Sequence, residues 1–195
     1  MLFKFIFCYN FFMRKFATLF TDSYKELKSV RTITLMAMFA AIAVILGYFS
    51  IDVGEYIRIG FSSIPNGLIS YMFGPTVGGI FSGVLDVLTF IVKPTGTFYP
   101  PLTLVTILAG ILYGIMYYKK PITWQRVLAT KFVVMLICNV ILNTLCLADL
   151  YGEGFFALLP LRALKNLIMW PIDTFIFFTV SKALERMGVF RVFQR

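Results

Sequence analysis

The chain has 195 residues, 59% of them hydrophobic and 22 of them Phe, with a mean hydropathy of +0.87. No single soluble core hides that much apolar surface, so the chain reads as an integral membrane protein. The net charge is +9, but the cations are scattered between apolar runs, which points to the anionic cytoplasmic leaflet and away from nucleic acid. With no His at all, zinc-helix motifs, Ser-His and Cys-His pairs and imidazole proton relays are excluded.

The opening MLFKFIFCYNFFMRKF has the apolar run of a signal peptide, but Arg14 and Lys15 interrupt it and no small-residue cleavage site follows. It is expected to be a cytoplasmic or interfacial lead-in; a start at Met13 is the alternative. Six apolar segments follow: Thr32–Phe49, Ile57–Phe73, Thr76–Val92, Leu102–Tyr118, Val127–Leu147 and Leu161–Ala183. Each can span a hydrocarbon core of about 30 Å, the second to fourth being the shortest. Gly74-Pro75, Lys93-Pro94-Thr95-Gly96, Pro100-Pro101 and Lys119-Lys120-Pro121 mark the breaks between them.

The predicted fold class is an all-α integral membrane protein, one compact bundle of six transmembrane helices over residues 32–184. A cytoplasmic or interfacial segment (1–31) precedes it and a basic cytoplasmic tail (185–195) follows, with no internal repeat. Cys8, Cys138 and Cys146 form an odd set and are expected to be reduced core residues without a disulfide framework.

With the N-terminus inside, six spans place all but four of the 18 Lys and Arg on the cytoplasmic side, Lys119, Lys120, Arg126 and Lys131 among them. Both termini are then cytoplasmic. The four exceptions, Arg58, Lys93, Arg162 and Lys165, fall at the outer ends of spans, against the bias that sets topology.

Ionisable groups inside spans cost about 2.5–3.5 kcal/mol on insertion scales and read as functional by default. Asp86 lies seven residues before Lys93, two helical turns and about 10 Å away on one face. Arg162, Lys165 and Asn166 follow i, i+3, i+4 spacing, and Asp173 continues that face. Asn139 and Asn143 give the fifth span an amide-bearing face, for which interhelical hydrogen bonding is the competing explanation. With Tyr56, Phe61, Phe98 and Tyr99 nearby, the outer half has the chemistry of a pocket for an organic anion with a flat aromatic part.

Small residues recur at helical spacing at Ala37/Ala41, Ala43/Gly47, Gly79/Gly83 and Gly110/Gly114. Such pairs let helices approach closely, within the bundle or against another protein. There is no Walker-type phosphate loop, so active transport would draw its energy from another chain. An autonomous secondary transporter is the competing class; inverted repeats or paired broken helices would favour it, and neither is visible. An intramembrane enzyme would require a His or paired-acid motif that the chain lacks.

Together these residues are similar to a known family, the substrate-binding S components of energy-coupling factor vitamin transporters, and within it to the folate group. The resemblance runs from about Arg14 to Arg186 and is densest from Arg58 to Tyr118, with GPTVGGIFSGVLDVLTFIVKPTG at its centre; LLPLRALKNLIMWPID is similar too. The resemblance implies a plasma-membrane bundle that captures a vitamin from outside. It delivers the vitamin by pairing with a membrane coupling subunit (T component) and two cytoplasmic ATPases, which hydrolyse ATP; the chain itself has no cofactor, no metal and no enzymatic activity.

The resemblance also implies that Ala37 and Ala41 contact the coupling subunit. It places the vitamin in the outer half, under the first external loop (about Ser50–Arg58) and the loop after the third span. The substrate-binding residues expected are Arg58, Asp86, Lys93, Thr97, Phe98, Tyr99, Asn143, Arg162, Lys165 and Asn166. Arg162, Lys165 and Lys93 would meet glutamate or carbonyl oxygens, Asp86 or an Asn the pterin edge, and Phe98 and Tyr99 would stack or close the lid. Where folate-group members usually have Phe-Phe and then a Gly-Phe-Thr turn, this chain has Phe98-Tyr99-Pro100-Pro101-Leu102-Thr103. Another vitamin, such as pantothenate or riboflavin, is the alternative ligand.

Overall fold

The computed structural model describes residues 18–48, 51–53, 57–60, 62–94, 97–152 and 154–188. Helix α1 (18–27) lies ahead of the bundle. It is followed by α2 (Val30–Tyr48), a hairpin of β1 (Ile51–Val53) and β2 (Ile57–Ile59), and α3 (Ser63–Phe73). Next come α4 (Pro75–Val92) and α5 (Pro100–Tyr117). A single rod then runs as α6 (Trp124–Val134), a π-helical segment (Met135–Leu142) and α7 (Asn143–Tyr151), and α8 (Phe155–Arg186) closes the bundle. The architecture is the expected all-α membrane bundle.

Among the described residues five rods, α2, α4, α5, the α6–π–α7 rod and α8, are long and apolar enough to cross a membrane. The segment Ile57–Phe73 differs from the expectation. It is not one helix: Ile57–Ile59 is a strand paired antiparallel with Ile51–Val53, with Asp52 opposite Arg58, and only the 11 residues of α3 are helical. The reason lies in local chemistry. Ile51, Val53, Ile57 and Ile59 alternate along the sequence as β-branched residues that favour strands, and Pro65 falls within the first turn of α3, where a missing N–H costs least. At about 16 Å, α3 covers half of a hydrocarbon core. Its residues from Ile64 to Phe73 are almost all buried, so protein, not lipid, surrounds it.

The tightest packing is between α4 and α5. A Cβ placed on Gly110 would overlap the Gly78 carbonyl and Ser82 Oγ, and one on Gly114 would overlap the Pro75 backbone. Gly79 and Gly83 receive Ile107 and Ile111, so these small residues serve internal contact. Ser82 Oγ donates to the Gly78 carbonyl at 2.6 Å and also meets Asn66 Oδ1 on α3, tying α3 to α4 with satisfied polar groups. Ile69, Val77, Phe81 and Phe177 form the centre of the core.

The N-terminal end of α4 is held by polar contacts to α1. Thr76 Oγ1 donates to the Phe20 carbonyl at 3.0 Å, and the Val77 amide donates to Ser23 Oγ at 3.1 Å. Gly74, at φ 90°, sits where a Cβ would lie 2.9 Å from Ser23 Cβ, so both its backbone and its space demand glycine. Lys119, at the left-handed φ of 56°, pairs with Asp22 at 2.6 Å. A cavity of about 700 Å³ opens beside this pair, lined by residues of α1, α3 and the turn after α5. Cys138 and Cys146 are free thiols; Cys8, Met13, residues 1–17 generally and the tail beyond Gly188 lie outside the described residues.

Candidate functional site

Helix α8 turns one face inward along its whole length. Leu158, Arg162, Asn166, Thr174, Phe177 and Ser181 are buried, at steps of three, four and eight residues that return to one side of a 3.6-residue turn. The helix runs on through Pro160 and Pro171, although each proline lacks the N–H that would bond the carbonyl four residues earlier. Near Pro171, Thr174 Oγ1 donates to the Trp170 carbonyl at 2.7 Å and Trp170 Nε1 donates to the Leu128 carbonyl of α6 at 3.1 Å.

Arg162 is 9% exposed and Asn166 6%; Lys165 is half-buried. These three expected site residues therefore share one stretch of α8 on or beside the buried face. Arg162 Nη1 is shielded from solvent with no hydrogen-bond partner, as is Asp173 Oδ1 three turns further on. Asn143 begins α7 and is half-buried, whereas Asn139, within the π segment, is exposed. The π segment packs against α5 and α8; such wide turns are uncommon and concentrate at functional sites.

Around Asp173 the structure assembles a polar cluster from four helices. Lys131, 4% exposed, lies on α6, and its Nζ donates to Ser63 Oγ at 3.2 Å. The same ammonium stands 5.1 Å from the centroids of both the Tyr113 and Phe177 rings. Asp173 lies against the Ser63 hydroxyl and in the field of Lys131 and Lys165. Lys131, expected on the cytoplasmic side, is thus buried within the bundle. It sits seven residues past Trp124, about 10 Å into the rod, because two aromatic faces and a hydroxyl replace water around its charge.

The remaining expected residues gather at the C-terminal end of α4 and the loop after it. Asp86 Oδ2 accepts from Thr103 Oγ1 on α5 at 2.7 Å, so this carboxylate ties α4 to α5. Lys93 caps the C-terminus of α4. Thr97 is exposed, and the Phe98 ring, 43% exposed, leans on Phe90 at 5.1 Å. The Tyr99 hydroxyl donates to Asp149 near the end of α7. That bond and the Asp149 charge raise the phenol above its ordinary value of 10.0. Tyr99 thus bridges the loop to the fifth rod. The side chain of Arg58, with Tyr56 and Phe61, lies outside the described residues, as do Thr95 and Gly96. Ala37 and Ala41 stand on the exposed face of α2.

Lys131 carried a legible signal. It falls inside the apolar run from Val127 to Leu147, and an ionisable residue within a span is a site candidate wherever it occurs; its closeness to Arg126 concealed it. Asp149 and Ser63 offered no comparable signal, since each acts only through a partner distant in sequence.

The ECF transporter, substrate-specific component family matches residues 31–181. Folate transporter FolT of Clostridium novyi (strain NT) is 29% identical over 163 residues, 84% of this chain and 95% of that protein. Folate transporter FolT of Streptococcus mutans is 26% identical, covering 85% and 92% respectively. Among solved structures, FolT bound with folic acid superimposes with a TM-score of 0.74 at 34% identity, over 80% of this chain and 95% of that one. An S-component for biotin from an ECF-type ABC transporter shares the fold, with a TM-score of 0.60 at 19% identity. By the length of the match and the shared bundle, the chain belongs to the substrate-specific components of ECF transporters.

Proposed function

We propose that this chain is the high-affinity folate-binding S component of an ECF-type vitamin importer in the plasma membrane, with both termini cytoplasmic. The observation that carries the reading is the likeness to the FolT chain crystallised with folic acid, which extends over 95% of that chain. The chemistry agrees with it. Arg162, Lys165 and Lys93 are cations at the outer ends of spans, suited to the carboxylates and carbonyl oxygens of a folate. Asn143 and Asn166 supply amides, Arg58, Asp86 and Thr97 further polar groups, and Phe98 and Tyr99 rings at the mouth.

Binding is the whole of the chain's chemistry. It needs no cofactor of its own, and ATP is hydrolysed by two cytoplasmic partners joined to it through a membrane coupling subunit. Ala37 and Ala41, small and exposed on α2, let a partner helix approach closely. Titrating detergent-purified protein with folate while following Trp fluorescence tests the ligand, because Trp170 lies on α8 between Arg162 and Asp173. Saturable quenching is expected; a thermal shift with another vitamin and none with folate would overturn the substrate. Folate uptake by cells expressing this chain without coupling subunit or ATPases would overturn the mechanism.

A further inference from the structure

Two solvent-shielded polar atoms of α8, Arg162 Nη1 and Asp173 Oδ1, have no hydrogen-bond partner. They belong to side chains of opposite charge on one helix. Eleven residues separate them, which at 1.5 Å and 100° per residue places them about 16 Å apart along the axis and within about 20° of the same face. Asn166, buried, lies between them. Unsatisfied buried polar atoms cost stability and persist where a function holds them ready.

The lower end is braced from outside α8. Lys131 Nζ donates to Ser63 Oγ at 3.2 Å, and the Ser63 hydroxyl meets Asp173. The ammonium is enclosed by the Tyr113 and Phe177 rings, so it fixes the charge beside Asp173 without covering Oδ1. Asp86, on α4, already accepts from Thr103.

Resting on the folate reading, we infer that α8 measures its ligand from end to end: ring N–H donors of a folate-class molecule bind Asp173, and its carboxylate end binds Arg162. Charge complementarity sets the orientation, because an amino-oxo-pyrimidine edge offers paired donors to a carboxylate and a glutamate tail requires a cation. Asp173 is then the specificity-determining acceptor at the pocket floor, and Lys131 and Ser63 are positioning residues. A ligand too short to reach both ends leaves one buried charge unmatched, so such a site holds it more weakly than a full-length one.

The test uses three molecules on the detergent-purified full chain: folate, 6-hydroxymethylpterin (ring end without any carboxylate) and p-aminobenzoylglutamate (tail without the ring). Asp173→Asn should weaken folate and 6-hydroxymethylpterin at least about tenfold and leave p-aminobenzoylglutamate within about twofold. Arg162→Gln should weaken folate and p-aminobenzoylglutamate and spare 6-hydroxymethylpterin, and Lys131→Met should follow the pattern of Asp173→Asn. Retained binding of the unaffected fragment shows that each variant is folded. Equal losses for both fragments in Asp173→Asn, or no loss, would overturn the inference while wild-type folate binding stands. A wild-type chain that ignores folate would instead overturn the folate reading itself.

Discussion

Lys131 Nζ donates to Ser63 Oγ at 3.2 Å, joining the buried middle of one long rod to the first residue of the short helix α3. The bond works with Asp173, whose charge Lys131 offsets across the same hydroxyl. Lys131→Met should destabilise the bundle by about 3 kcal/mol, because it leaves a buried carboxylate uncompensated. Adding Asp173→Asn should recover much of that loss. Chemical unfolding of the single and double variants in detergent reads the coupling; strictly additive losses would mean the two groups do not interact.

Gly67 faces Phe177, and a Cβ there would lie 2.7 Å from a ring carbon of a side chain with no solvent exposure. Although Ala favours helices, Gly67→Ala should cost about 1–3 kcal/mol, the usual penalty of overpacking. The displaced ring also covers Lys131, so thermal stability should fall further in wild type than in a Lys131→Met background. An equal fall in both would separate the ring's packing from its contact with the cation.

Asp22 and Lys119 form an exposed pair. The hydrogen bond from Lys119, followed by its charge, holds the Asp22 carboxyl below its ordinary value of 3.8, and the same bond raises Lys119 above 10.5. For the acid the folded value is depressed, so its contribution is present above 3.8 and is lost as pH falls through the depressed value. For the lysine the folded value is raised, so its contribution is present below 10.5 and is lost as pH rises through the raised value. Asp22→Asn should remove both dependences from a melting-temperature profile and, the pair being exposed, should do so with little change at neutral pH.

Tyr99 keeps its proton beyond the ordinary 10.0 because its hydroxyl donates to Asp149. The raised folded value means that the bond contributes fully below 10.0 and fades as pH rises through that value. In ultraviolet titration, the difference between wild type and Tyr99→Phe should isolate one phenol with a midpoint above 10.0. Asp149→Asn should bring that midpoint down; an unchanged midpoint would show that the phenol is raised by burial instead.

Much of the bundle was legible because membrane spans announce themselves locally. The rods around Thr32–Phe49, Thr76–Val92 and Leu102–Tyr118 agree with α2, α4 and α5 to within about two residues, the ordinary uncertainty of helix ends. Ile57–Phe73 did not, since mean hydropathy cannot distinguish a strand followed by a buried half-length helix from a spanning one. The stripe of Arg162, Lys165 and Asn166 was visible from helical spacing alone. The partners of Asp86, Tyr99 and Lys131 were not, because Thr103, Asp149 and Ser63 reach them from other elements.

By itself, the sequence determined the apolar surroundings this protein requires, the approximate ends of α2, α4 and α5, and the spacing of the cations and amide on α8. Each follows from hydropathy, charge bias and 3.6-residue periodicity, which are properties of neighbours along the chain. Only the tertiary structure decided which charge meets which partner. It put Lys131 in a dry cage of Tyr113, Phe177 and Ser63, and it left Arg162 and Asp173 facing inward with an unmatched atom each. The physical reason is that the cost of burying a charge depends on what surrounds it in space, and those surroundings come from helices far apart in the chain.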